Sequence, residues 1–206
     1  MPTLSKSMTR SAIVLGLFAI IATALVAFTN SATKERVEAS KRNYTLRKLN
    51  ELVPADMHDN ALDQDKIMVQ DALLDKRAEV PIYRVLKDGQ VSAVIIASVA
   101  PDGYSGRITQ LVAVRRDGSL IGVRVIEHNE TPGLGDGIDT SKSDWIHIFD
   151  EKSLQSPDES RWRVRRDGGE FDQMTSATIT SRAVVKATRN ALRYFERNKE
   201  QLLTLP

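Results

Sequence analysis

From Ser11 to Thr33 the chain runs for 23 residues without a charged side chain, and no other feature constrains its fold so tightly. The stretch from Ala12 to Phe28 is almost wholly apolar. A helix rising about 1.5 Å per residue would carry residues 11–33 across roughly 34 Å, enough for the hydrocarbon core of a bilayer. The segment is therefore read as a transmembrane helix preceded by a short N-terminal piece, residues 1–10. A cleaved leader is the competing reading, because Lys6 and Arg10 make a positive start and Asn30-Ser31-Ala32 suits a cleavage site. The apolar run is longer than the roughly 7 to 15 residues of a leader, which favours the anchor.

The remainder is long enough for one well-buried core. The whole chain has 29 basic and 27 acidic residues, and Lys6 and Arg10 are the only charges before Lys34, so the rest is electrically balanced. Balance argues against nucleic-acid binding, which needs surplus cations to displace phosphate counterions. With no cysteine, disulfides, thiolate-bound metals and Cys nucleophiles are excluded. Three histidines, His58, His128 and His147, make a His-rich metal site a poor expectation.

Beyond the span, Glu35 to Val53 carries Ala39, Leu46, Leu49 and Val53 along one stripe and is stopped by Pro54, so residues 34–54 are read as a juxtamembrane helix, a stalk. Residues 55–206 form the folded domain. Val80–Leu86 and Val91–Ala100 flank Lys87-Asp88-Gly89-Gln90, and Ile108–Val114 and Ser119–Ile126 bracket Arg115-Arg116-Asp117-Gly118. These read as two hairpins and hence an antiparallel sheet. From about Thr180 to Asn198, Val184, Ala187, Ala191, Leu192 and Phe195 recur at helical spacing, with Arg182, Lys186, Arg189, Arg193 and Arg197 opposite. That basic stripe is read as a solvated face. The fold class is α+β: an antiparallel sheet with packed helices on a single N-terminal transmembrane helix.

Two polar segments carry more than turn-making requires. The first is His128-Asn129-Glu130-Thr131-Pro132-Gly133-Leu134-Gly135-Asp136-Gly137, whose glycines permit close backbone approach or left-handed dihedrals. It is no dinucleotide fingerprint, since Ile138 stands where a third glycine would be. His128, Glu130 and Asp136 could ligate a metal in principle, but a turn is the better reading. The second is Asp172-Gln173-Met174-Thr175-Ser176-Ala177-Thr178-Ile179-Thr180-Ser181, which crowds five hydroxyls at a helix start. Such a place suits either an ordinary N-cap or a phosphate, held by unpaired N–H groups and the helix dipole. Physics alone leaves the two open. No histidine is placed beside a hydroxyl, so no nucleophilic triad can be assembled.

At these segments the sequence resembles the G subunit of the bacterial Rnf electron-transport complex and, more distantly, the C subunit of the sodium-translocating NADH:quinone reductase. The family's FMN-attachment motif, Asp-x-x-Ser/Thr-Gly-Ala-Thr, is matched as Asp172-Gln173-Met174-Thr175-Ser176-Ala177-Thr178, with Ser176 in the glycine's place. Glu130-Thr131-Pro132-Gly133-Leu134-Gly135-Asp136, Trp145, Phe149 and Gly103-Tyr104-Ser105-Gly106-Arg107-Ile108 also match. The resemblance implies FMN held covalently by a phosphoester on Thr178, installed by a separate flavin transferase from FAD. It implies that Asp172, Thr175, Ser176 and Ala177 form the transferase recognition sequence and phosphate lining. Glu130, Thr131, Pro132, Gly133, Leu134 and Gly135 would lie against the isoalloxazine ring. It further implies an electron-carrying subunit of a redox-driven ion pump in the inner membrane, partnered by integral membrane and iron–sulfur subunits, with the domain in the periplasm. The positive-inside count, two cations before the span against Lys34, Arg36, Lys41, Arg42, Arg47 and Lys48 after it, points to the cytoplasm instead. Long domains escape that rule. A membrane-anchored module that never carries flavin and a secreted hydrolase remain the alternatives.

Overall fold

A computed structural model describes residues 2–204. Helix α1 spans Pro2–Leu52, and the chain divides into two compact units between Asn43 and Tyr44. In the first unit, α1 is long and apolar enough to cross a membrane by length and composition. Among the described residues its large apolar side chains are exposed: Phe18 is 68% and Phe28 73% exposed. Water disfavours such a surface and hydrocarbon does not. The apolar stretch and the segment read as a stalk form one continuous helix, because no glycine or proline interrupts residues 17–53.

The second unit begins within that helix. Leu49, Leu52 and Val53 are at most 3% exposed and belong to the domain core. Lys48 is equally committed, donating to Thr140 Oγ1 at 3.1 Å and lying 3.5 Å from Asp139 Oδ1. The end of α1 is thus part of the folded domain and not a solvated stalk, and the unit boundary falls at Tyr44 where the sequence suggested residue 55.

Five strands follow: β1 (Lys66–Val69), β2 (Val80–Lys87), β3 (Gln90–Gly103), β4 (Gly106–Arg115) and β5 (Leu120–Glu127). They form one antiparallel meander in the order β1-β2-β3-β4-β5. The expected four strands and both hairpins are present. At the β2–β3 turn Asp88 and Gly89 both take positive φ, 51° and 72°, the geometry whose twist matches paired strands. β1 is additional; its four residues lacked a run of β-formers long enough to signal a strand.

Helix α2 (Thr178–Leu203) covers one face of the sheet. Ser98 Oγ donates to Ala187 O at 3.3 Å and Gln110 Nε2 to Thr188 Oγ1 at 3.0 Å, and Ser98 and Gln110 are register partners. On the opposite face, Gly122 lies against Leu52 and Asp150. Cover on both faces explains why Val91–Ala100 reads as a nearly unbroken apolar run with no alternation. Phe149, Trp162 and Phe171 stack beneath the loops that lead to α2, with Trp162 and Phe171 centroids 4.6 Å apart.

Two buried or half-buried carboxylates tie this frame together. Burial raises the carboxyl of Asp75, but the Arg107 guanidinium, 2.6 Å away, and the Arg77 N–H outweigh it and hold it below the usual value. Asp139 behaves alike: burial raises it, and the Ser141 N–H and Lys48 bring it below. A depressed folded pKa contributes stability above the unfolded value near pH 4, lost as pH falls through the folded values. Thermal midpoints are therefore expected to drop below about pH 4. Asp75→Asn is expected to cost about 1–3 kcal/mol at pH 7 and to show a shallower acid slope in the same melts.

Candidate functional site

The two segments singled out from sequence meet at the start of α2. They line one cleft of about 510 Å³, formed by Glu130, Thr131, Leu134 and Gly135 on one side and Ser176 to Thr180 on the other. That volume suits a medium-sized organic ligand.

How α2 begins is decisive. Its N-cap is Ala177, which has no side-chain acceptor to offer, and Ser181 N is the first to close a helical bond, to Ala177 O at 3.0 Å. Among the described residues the N–H groups of Thr178, Ile179 and Thr180 have no acceptor. None of the five hydroxyls caps the helix. Ser181 donates to Ala177 O and accepts from Met174 N, while Thr180 Oγ1 donates to Glu130 Oε2 at 2.5 Å. Thr175, Ser176 and Thr178 keep free hydroxyls among the described residues, and of these Ser176 and Thr178 line the cleft. The ordinary cap is thus absent among the described residues, and three unpaired N–H groups, the positive end of a 26-residue helix and a half-buried free hydroxyl face one cavity. Arg166 adds a cation to the lining and forms no ion pair among the described residues.

Glu130 is only 4% exposed, so its carboxylate is committed to the protein. Its Oε1 accepts from Ser105 N at 3.0 Å and its Oε2 from Thr180, which joins the β3–β4 turn, the loop after β5 and the first turn of α2. A Cβ at position 135 would lie 2.7 Å from Glu130 Oε2 and 3.2 Å from Thr180 Oγ1. Gly135 therefore makes room for the protein's own carboxylate, whereas the sequence suggested room for a flat ligand. Glu130→Gln is expected to lower stability by about 1–3 kcal/mol in denaturant melts, because the Ser105 N–H or the Thr180 hydroxyl loses its acceptor.

The rest of the first segment supports its own loop. Thr131 O accepts from Leu134 N and Gly135 N, Asp136 Oδ1 from Gly133 N, and His128 Nδ1 from Glu130 N. Pro132 and Gly133 are exposed and outside the lining. His128, Glu130 and Asp136 form no metal-binding group among the described residues.

Asp172 and Thr175, also read from the motif, are exposed and do not line the cleft. Asp172 lies 3.0 Å from Arg165 Nη1, and its carbonyl accepts from Trp145 Nε1 at 2.7 Å, which anchors the incoming strand of chain. Ser176 takes φ 64°, the left-handed region. That conformation suits glycine, so Ser176→Gly is expected to stabilise the domain by about 0.5–1 kcal/mol in the same melts.

Tyr104, Arg166, Ile179 and Thr180 also line the cleft and were not among the residues the resemblance assigned to the site. Tyr104 sits at the β3–β4 turn, inside the Gly103–Ile108 stretch that carries part of the family resemblance. Arg166 follows no periodicity and had no signal beyond a basic run, because only the fold of residues 161–171 brings it to α2.

Two family models match the chain, an FMN-binding domain over residues 103–193 and an RnfG N-terminal region over residues 1–52. Among curated proteins, the chain is 44% identical over 204 residues to the G subunit of the ion-translocating oxidoreductase complex of Shewanella loihica, covering 98% of this chain and 96% of that one. It is 48% identical over 199 residues to the protein of that name from Pseudomonas aeruginosa, covering 96% and 93%. For the one from Aliivibrio fischeri (strain MJ11) the figures are 46% over 202 residues, covering 97% and 96%. Identity of this order sustained from the apolar helix to the end of α2 places the chain, with its FMN-binding domain, in the family of G subunits of Rnf-type ion-translocating oxidoreductase complexes.

Proposed function

We propose that this chain is an electron-carrier subunit of a membrane-bound, redox-driven ion-translocating complex, with FMN joined covalently to Thr178 Oγ1 through a phosphoester. The observation that carries the reading is the free Thr178 hydroxyl at an uncapped helix start inside a ligand-sized cleft. A phosphate on that oxygen would meet the N–H groups of Thr178 to Thr180, the helix dipole and the Arg166 guanidinium. These groups fit a phosphoester of FMN, and the exposed apolar side chains of Tyr104, Leu134 and Ile179 offer surface for a flat ring. When bound, the flavin supplies the redox chemistry; the polypeptide holds it and shields it from water.

In attachment, Thr178 Oγ1 forms a bond to the FMN phosphorus of FAD as the anhydride bond breaks. AMP leaves and the hydroxyl proton is released. A separate flavin transferase carries out the exchange, reading the exposed Asp172, Thr175 and Ser176, which the fold leaves accessible. Ala177 is buried and sets the turn. A covalent link makes occupancy independent of free FMN.

The α1 apolar stretch anchors the domain as a single pass in the inner membrane, with the domain in the periplasm. Its small residues Gly16, Ala19, Ala22, Ala24 and Ala27 permit close packing against integral membrane subunits, and iron–sulfur subunits exchange electrons with the complex. The test is the native protein run on a denaturing gel, followed by mass spectrometry of the peptide containing Thr178. Flavin fluorescence that survives denaturation, with an FMN-phosphate adduct on Thr178, is the expected result. An unmodified peptide from cells possessing the transferase overturns the reading.

A further inference from the structure

A second, smaller groove of about 260 Å³ shares no lining residue with the Thr178 cleft. One wall is the Arg182, Val185, Lys186 and Arg189 face of α2, whose spacing of three and four places them along one stripe. The other wall is residues 162–164 with Asp167. Its floor is apolar and sealed, with Trp162, Val164 and Val185 each at most 1% exposed.

The charges around it do not balance. Arg182 is consumed by Asp167 at 2.5 and 2.6 Å, Lys186 by Asp102 at 2.6 Å, and Arg193, one turn further along, by Glu159. Arg163 and Arg189 form no ion pair among the described residues; Asp167 and Glu159, each already paired with another arginine, act on them only at longer range. Arg189 Nε is buried without a hydrogen-bond acceptor. Burial, then the Arg193 cation, lowers the Arg189 guanidinium from its ordinary value, with Glu159 opposing and Arg163 adding to the effect. Cations that crowd one another over an apolar floor are a standing electrostatic cost, and an anion relieves it. The stripe read from sequence as a solvated face is therefore only partly one: among the described residues three of its five cations are paired, Arg197 is unpaired and exposed, and Arg189 is unpaired and partly buried.

We propose that this groove binds a phosphate group between the guanidiniums of Arg163 and Arg189. Two unneutralised cations match a dianion, and planar guanidinium forks match phosphate oxygens bidentately. A carboxylate would leave one of the two charges uncompensated. The volume is below that typical of nucleotide-sized ligands, so the group recognised is phosphate itself or a small phosphoester. The wall is preorganised: Arg163 O accepts from Phe171 N at 3.1 Å, and Arg165 N donates to Phe171 O at 2.8 Å.

The experiment uses the full chain in a neutral detergent that contains no phosphate. Its thermal midpoint is followed against inorganic phosphate, with chloride at matched ionic strength as reference. A saturable rise with phosphate alone is expected, weakened at least tenfold in apparent affinity by Arg163→Gln and by Arg189→Gln, and unchanged in Arg197→Gln. Arg163 is exposed and its side chain forms no hydrogen bond or ion pair among the described residues, so its variant is expected to keep the fold, and Arg163→Lys is expected to retain part of the effect. Glycerol 3-phosphate, a phosphomonoester that approaches a dianion at neutral pH, is run in parallel and separates the sources. An arginine-dependent rise with this monoester points to a lipid headgroup that ends in a phosphomonoester, and a rise with inorganic phosphate alone points to free phosphate. Equal midpoints in phosphate and chloride, a phosphate effect untouched by both glutamine variants, or an arginine-dependent rise seen only with a glutamate-rich peptide would each overturn the proposal.

Discussion

Thr178→Val is expected to give a colourless chain that folds normally. Valine nearly matches threonine in shape and stiffness, and the Thr178 hydroxyl makes no hydrogen bond among the described residues, so stability should change by no more than about 0.5 kcal/mol. Loss of the oxygen removes the only atom of that side chain able to carry a phosphoester. Covalent flavin fluorescence on a denaturing gel should fall from near-stoichiometric to background, at least a hundredfold, while the melting curve stays in place. Thr178→Ser keeps an oxygen at the same position and should retain the adduct. Fluorescence that persists undiminished in the valine variant would place the attachment elsewhere, and Ser176 and Thr175 would then be the oxygens to examine.

The second large effect is structural. A Cβ at position 169 would lie 1.9 Å from Arg163 O, 2.3 Å from Arg163 C and 2.7 Å from Arg163 Cα. All three are backbone atoms, so no side chain can swing aside. The same backbone is held by Gly169 N to Val164 O at 3.1 Å and sits over the Trp162 and Phe171 pair. Gly169→Ala is expected to cost more than about 4 kcal/mol, a large share of the total stability of a domain this size. Gly168 makes the internal control. It has φ 79° with nothing within 4 Å of its added Cβ, so Gly168→Ala should cost only about 1 kcal/mol from dihedral strain. Urea titration of the two variants checks the contrast. Because the attachment segment begins at Asp172, directly after Phe171, Gly169→Ala should also reduce covalent flavin. Two equal and small costs would mean that the backbone approach at Arg163 is not as tight as the structure has it.

Much of the frame was legible before any coordinates because it rests on local physics. An uncharged run of 23 residues permits little besides a helix in hydrocarbon or a leader. Lys87-Asp88-Gly89-Gln90 and Arg115-Arg116-Asp117-Gly118 mark turns by their composition, and the β-branched runs on either side of them read as paired strands. The attachment motif was legible for a different reason: it resembles a known family, and residues 172–178 carry that resemblance in one contiguous piece. Neither source reached β1, whose four residues are strand only because β2 offers them an edge. The end of α1 was misplaced as stalk because an apolar stripe says that a face is covered without saying what covers it.

Contiguity marks the dividing line at the site as well. The sequence by itself determined the span, the hairpins, the final helix and the two segments richest in polar chemistry, since each depends on residues within a few positions of one another. Only the tertiary structure decided that those segments face each other across one cleft. It alone turned Glu130 inward to Thr180 and Ser105, left the first N–H groups of α2 uncapped, and brought Arg166 to Thr178. The same holds for which cations of the α2 stripe are neutralised, because Asp102, Asp167 and Glu159 come from distant loops. Hydrogen bonds and ion pairs form between groups within a few ångströms of each other in space, and a linear order of residues does not record that distance until the core has closed.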